Sequence, residues 1–127
     1  MGKIALLFPG QGSQKTGMGR EVWENSSLAR ETFETASRLL GFSMEDLCFT
    51  PNDQLDLTEY TQAALLTVSV AIWRELAARG LAAQGAAGLS LGEYGALVAC
   101  GVMGFDDAVQ VVRQRGILMQ EAVPRCV

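Results

Sequence analysis

The segment GLSLG, residues 88–92, sets a serine between two glycines, after a small-residue run and before a helix-like pattern. Small neighbours permit a sharp strand-to-helix bend that lifts the Ser90 hydroxyl clear of the backbone, where a base can reach it. The backbone N–H of the next residue, Leu91, then faces the same space and can stabilise an oxyanion. A helix starting there adds a partial positive charge at its N-terminus. The glycine-x-serine-x-glycine pattern is weak alone, and it also suits a tight turn in which Ser90 merely caps the helix. A serine nucleophile ordinarily passes its proton to histidine, and the sequence contains none. Either the motif is an accident, or another residue type is the base, or the sequence is part of something longer.

Two further features bear on chemistry. FPGQGSQ, residues 8–14, follows an apolar run, and glycine is needed where backbone must approach a ligand closely. Without the lysine–serine or lysine–threonine ending of a Walker loop it does not suit nucleotide phosphates; the bland reading is a glycine-rich turn between strand and helix. Arg115 is the other feature. Ala108, Val111, Val112, Met119 and Ala122 fall at three–four spacing, the pattern of a buried stripe, and Arg115 lies within it while Arg113 lies off it on the solvated side. An inward arginine needs an anionic partner, because burying its charge alone is costly. It could snorkel, form a structural ion pair, or grip a substrate carboxylate with two hydrogen bonds.

The elements that must position these residues alternate as in an α/β fold. KIALLF, residues 3–8, has the length and composition of a buried parallel strand ended by Pro9. SLARETFETASRLLG predicts a helix with Leu28, Phe33, Ala36 and Leu40 near one face and Gly41 as its stop. DLTE resembles a capping box joining Asp56 and Glu59, opening a helix through Ala63, Leu66, Val70, Trp73 and Ala77 to Gly80. AAGLS predicts a second strand leading into Ser90, and two helices follow, from about Gly92 to Cys100 and about Asp106 to Ala122. Two strands against several helices leave a parallel sheet with unpaired edges, which reads as the front part of a larger α/β domain.

Bulk properties narrow the classes. The chain has 127 residues, enough for one domain, with 49% hydrophobic and 19% charged residues, a globular composition. A net charge of −4 argues against nucleic-acid binding, which needs clustered cations. The longest strongly apolar stretch, AALLTVSVAIW, is far below the ~20 residues of a membrane span, and no secretory leader is legible before Pro9. Cys48, Cys100 and Cys126 are widely spaced without histidine partners, which fits neither zinc nor a disulfide framework and suits a reducing cytoplasm.

With these features together, the sequence resembles the malonyl-coenzyme A:acyl carrier protein transacylase family of bacterial fatty-acid synthesis. LLFPGQGSQ, GMGREVWE, TEYTQAALLTVSVAIWRELAARG, GLSLGEYGALVACGVM and RQRGILMQEAVP match that family in order and spacing. The match spans essentially the whole chain but only the leading part of the family's length. The resemblance implies a partial hydrolase-like three-layer α/β/α domain with a short parallel sheet. Residues 1–127 would be the N-terminal part of the large subdomain, without the ferredoxin-like small subdomain or the C-terminal half. Ser90 would be the nucleophile, taking malonyl from malonyl-coenzyme A and surrendering it to the phosphopantetheine thiol of acyl carrier protein. Backbone N–H groups of Gln11 and Leu91 would form the oxyanion hole, Arg115 would hold the malonyl carboxylate, and Gln62 would stand near them. The family's general base is a histidine in its second half. No metal or cofactor beyond these substrates, nucleic acid or membrane is implied, and the full-length family member is expected to be a cytoplasmic monomer.

Two residues depart from the family pattern. Leu89 stands where histidine usually precedes the serine, which changes local pocket contacts without touching the base. Ala63 stands where proline usually follows the glutamine. Two other readings stay open. A serine hydrolase or thioesterase shares the elbow, but GQGSQ and Arg115 count against it. A non-catalytic fragment that binds coenzyme A or acyl carrier protein is the third.

Overall fold

The structure, a computed structural model, describes residues 2–123, so Cys126 lies outside the described residues. Its elements run β1 (Ala5–Phe8), α1 (Arg20–Asn25), α2 (Ser27–Leu40), α3 (Met44–Phe49), α4 (Thr58–Ala78), β2 (Gly85–Gly88), α5 (Gly92–Ala99) and α6 (Phe105–Ala122). β1 and β2 pair in parallel, from Ala5 opposite Gly85 to Phe8 opposite Gly88. Among the described residues no helix is long and apolar enough to cross a membrane.

Helix α4 is the axis of the packing. Thr61 through Val68 in its middle are all buried, the polar Thr61, Gln62 and Thr67 among them, as in a helix surrounded by others. α2, α5 and α6 pack around it. The core they enclose includes Phe33, Met44, Leu66, Val70, Val109 and Val112. α2 begins where the Ser26 hydroxyl accepts from the Ala29 N–H at 3.1 Å and ends at Gly41, whose φ of 81° only glycine adopts cheaply.

Three local expectations are corrected. β1 is parallel, but its burial alternates: Phe8 is buried against α5 whereas Leu7 is 79% exposed. An apolar run therefore marks strand length and not two covered faces. The capping box before α4 does not form. Leu57 is the cap residue, without a side-chain hydrogen bond, and the Asp56 carboxylate instead accepts from Gln14 Nε2 at 3.0 Å. The buried face of α6 is Phe105, Ala108, Val109, Val112 and Gly116. Val111 and Met119 are exposed, because the helix turns its side-chain-free Gly116 towards α4.

Glycines set how closely the elements near β2 approach. A Cβ on Gly92 would lie 2.1 Å from the Phe8 carbonyl oxygen, and one on Gly95 would lie 2.5 Å from the Phe8 ring. The small-residue face of α5 thus presses directly on β1. Gly92→Ala is expected to destabilise the fold by about 1–3 kcal/mol, since the obstacle is backbone that cannot rotate away; an unchanged urea midpoint would contradict this packing. Burial pushes the Cys48 thiol up to about 12, with the nearby Glu45 carboxylate adding to the effect. The folded chain thus resists thiolate formation, and that contribution to stability holds below pH 9.0 and is lost as pH rises towards about 12. Iodoacetamide at neutral pH is expected to alkylate the exposed Cys100 and spare the buried Cys48; peptide mass spectrometry showing equal labelling would refute it.

Candidate active site

β2 ends at Gly88, Leu89 and Ser90 make the bend, and α5 begins at Gly92. Ser90 has φ of 54°, the one non-glycine residue with positive φ among those described. A left-handed serine costs on the order of 1–3 kcal/mol. The fold holds it there because the bend is too tight for side chains on either flank. A Cβ on Gly88 would sit 2.0 Å from the Gly92 carbonyl carbon. Glu93 N–H donates to the Ser90 carbonyl at 3.0 Å and Gly92 N–H to the Leu89 carbonyl at 2.9 Å, closing the first turn. Ser90 is exposed, as a nucleophile needs to be, whereas the Leu91 side chain beneath it is buried.

The GQGSQ loop comes to this bend from the end of β1. Gly10 lies so near that its Cβ would meet the Leu89 carbonyl oxygen at 2.6 Å. That contact sets Gln11 beside residues 89–91. Among the described residues, neither the Gln11 nor the Leu91 backbone N–H donates to a backbone carbonyl. The Leu89 side chain is 75% exposed, while its N–H donates to the Phe8 carbonyl at 3.3 Å.

Arg115 reaches the same place from α6. Its Nη2 donates to Ser90 Oγ at 3.2 Å, its Nη1 donates to Gln62 Oε1, and its guanidinium lies 5.6 Å from the Tyr94 ring centroid. Gln62, 1% exposed on α4, donates in turn from Nε2 to Gln11 Oε1 at 3.1 Å. The structure therefore brings Ser90, Arg115, Gln62 and Gln11 into one connected set, with Leu91 next to the serine in the chain. Among the described residues the ion pairs are Arg20–Glu24 and Arg79–Glu75. Neither involves Arg115, so its cation is met by neutral oxygens and a ring face rather than by a carboxylate. A half-buried guanidinium so placed can accept an anion from outside.

Arg113 departs from the expectation of a solvated side chain. Its Nη1 donates to the Glu59 carbonyl, and its guanidinium lies 4.5 Å from the Tyr60 ring centroid and 5.3 Å from that of Phe42. It fastens α6 to the first turn of α4. Gly116 also shapes the site: its Cβ would lie 2.8 Å from the Thr58 carbonyl oxygen and 3.1 Å from Gln62 Cγ. A glycine inside an otherwise good helix pattern was the available signal for that close crossing.

Comparison with known proteins gives a consistent result. Residues 5–126 match the acyl transferase domain family. A malonyl CoA-acyl carrier protein transacylase of Bacillus subtilis strain 168 is 47% identical over 125 residues, covering 98% of this chain and 39% of that protein. The transacylase of the same name from Salmonella typhimurium is 48% identical, covering 98% and 41%. Among solved structures, a malonyl CoA-acyl carrier protein transacylase from Clostridium perfringens superposes with a TM-score of 0.92 at 44% identity, over 97% of this chain and 39% of that one. A malonyl-transacylase in complex with its type II PKS acyl-carrier protein gives 0.92 at 46% identity, over 97% and 40%. The chain spans about two-fifths of the length of the curated relatives it matches.

Gln62 is the junction of the site, accepting from one neighbour and donating to another. Gln62→Leu keeps the volume but leaves an arginine donor and a glutamine acceptor without partners, and is expected to cost about 1–3 kcal/mol of stability. Chemical denaturation showing no loss would mean that these hydrogen bonds are not made in solution.

Proposed function

We propose that this chain, which belongs to the acyl transferase domain family, carries the nucleophile and carboxylate-binding half of a malonyltransferase. The reaction would move malonyl from coenzyme A to the phosphopantetheine thiol of acyl carrier protein through an ester at Ser90. One observation carries the reading: the exposed Ser90 hydroxyl lies 3.2 Å from a guanidinium that has no carboxylate partner among the described residues.

In the first half-reaction the Ser90 oxygen attacks the thioester carbonyl carbon. The carbonyl oxygen gains charge, and the Gln11 and Leu91 N–H groups are the donors assigned to it. Collapse breaks the carbon–sulfur bond, and coenzyme A leaves as its thiol with the proton taken from serine. In the second half the pantetheine thiol attacks the ester, the carbon–oxygen bond breaks, and Ser90 regains a proton. Throughout, Arg115 would hold the distal carboxylate with two hydrogen bonds. Its present donation to Ser90 Oγ would open as the carboxylate enters, so the guanidinium keeps a partner in both states. Proton transfer needs a base, and the sequence has no histidine. We assign that role to a histidine outside these 127 residues, and we place the 127 residues as the N-terminal part of the acyltransferase large subdomain. We place the reaction in the cytoplasm, with a monomer as the working unit and no cofactor beyond the two thiol carriers. The free Cys48 and Cys100 suit that compartment.

A charge-assisted pair contributes roughly 1.5–3 kcal/mol, or about tenfold to a hundredfold in preference. Calorimetric titration of the chain is therefore expected to show malonyl-coenzyme A binding tighter than acetyl-coenzyme A by about that factor. Arg115→Ala is expected to remove the difference; equal affinities for the unaltered chain would defeat the reading. Transfer to phosphopantetheinylated acyl carrier protein by the 127-residue chain alone is expected to be negligible, and robust turnover would require a base other than histidine.

A further inference from the structure

Thr58, the first residue of α4, sits at the far end of the hydrogen-bonded set from Ser90, and the direction of every bond between them is fixed by chemistry. A guanidinium has donors and no acceptor. Arg115 Nη1 therefore obliges Gln62 to present its Oε1 and to turn its amide nitrogen the other way. That nitrogen donates to Gln11 Oε1 at 3.1 Å, so Gln11 must in turn offer its own amide nitrogen outward. Gln11 Nε2 donates to Thr58 Oγ1 at 2.9 Å. An amide flipped anywhere along this line would set two donors or two acceptors against each other. One cation thus orders two amides, and the order closes only if the residue at position 58 has an oxygen that accepts.

The backbone of Thr58 serves a second contact. Its carbonyl oxygen is the atom that a Cβ on Gly116 would meet at 2.8 Å, so the chain at position 58 bounds how near α6 can come. The same residue touches the Gln11 loop through its side chain and the Arg115 helix through its backbone. Thr58 and Gln62 are one helical turn apart, which places both on the face of α4 that looks towards the site.

We infer that Thr58 is a positioning residue: its hydroxyl anchors the Gln11 side chain, and through it sets where the Gln11 backbone N–H stands relative to Ser90. Thr58 touches no substrate. Its effect is to keep an exposed glycine-flanked loop residue in the place where an oxyanion donor is needed, and to tie that place to the carboxylate-gripping arginine. The inference rests on the proposed function for the meaning of the Gln11 N–H, but not for the anchoring itself.

The test uses the 127-residue chain, labelled with nitrogen-15, as Thr58→Val and Thr58→Ser. Valine keeps the branched shape and loses the acceptor; serine keeps the acceptor. In the unaltered chain the Gln11 backbone order parameter is expected near the rigid value of about 0.85, falling below about 0.6 in Thr58→Val and recovering in Thr58→Ser. Arg115 side-chain resonances are expected to stay in place in all three, while the Gln62 side-chain amide, which donates to Gln11 Oε1, shifts in Thr58→Val only. Titration with malonyl-coenzyme A supplies the second readout, with the half-saturation concentration rising at least threefold in Thr58→Val and returning in Thr58→Ser. An order parameter for Gln11 that is the same in Thr58→Val as in the unaltered chain overturns the inference, as does an equal loss in both variants. If malonyl-coenzyme A leaves the Arg115 resonances of the unaltered chain unmoved, the proposed function fails, and the Gln11 order parameter still decides the role of Thr58.

Discussion

Arg115 can reach the Ser90 hydroxyl because nothing projects from the next position in the chain. Gly116 meets the Thr58 carbonyl where any larger residue would collide, and that collision-free crossing lets α6 lie directly on the first turn of α4. Arg113 then clamps the crossing, stacking its cation on Tyr60 and Phe42 while donating to the Glu59 carbonyl. With α6 held this close, the guanidinium of Arg115 arrives between Gln62 and Ser90 rather than in solvent. The site is a consequence of how two helices cross, and the chemistry of its residues would be idle at a wider spacing.

The bend at Ser90 obeys the same logic on the other side. A serine with positive φ is strained, and the strain persists because its surroundings admit no relaxation. Gly88 folds onto Gly92, Gly92 and Gly95 rest on Phe8, and Gly10 rests on Leu89. These are contacts between backbones or with one aromatic ring, so they change little with side-chain motion. Ser90 is held by a collar of missing side chains, and the arginine opposite it is held by another. Both depend on α4, whose buried middle gives Gln62 a rigid mount.

Much of this was legible in the residues. The elbow around Ser90, the misplaced cation at 115 and the helices over α2, α4, α5 and α6 follow from glycine spacing and apolar periodicity, signals that act over a few residues. The resemblance implies the Gln11 backbone N–H in the oxyanion hole and Gln62 near Ser90; the structure joins the two glutamine side chains to Arg115 and Ser90 by hydrogen bonds. What escaped the reading depends on contacts between distant segments. α1 and α3 have six residues each, too short for a periodic pattern to emerge. Asp56 and Glu59 have the composition of a capping box, yet Gln14, far away in sequence, takes the Asp56 carboxylate. The buried face of α6 lies part of a turn away from its apolar stripe because Gly116 marks that face, and apolar periodicity gives a glycine no weight. The Arg113 position is hidden from α6's own pattern for a similar reason: its aromatic partners, Tyr60 and Phe42, come from outside α6, and nothing within α6 announces them.

A crystal structure of the 127-residue chain with malonyl-coenzyme A bound would test the pairing of Ser90 and Arg115 most directly. The expected arrangement has the malonyl carboxylate forked onto the guanidinium, the thioester carbonyl carbon above Ser90 Oγ, and the direct Arg115–Ser90 hydrogen bond of 3.2 Å replaced by the ligand. A carboxylate bound elsewhere, with that hydrogen bond still in place, would contradict the role given to both residues.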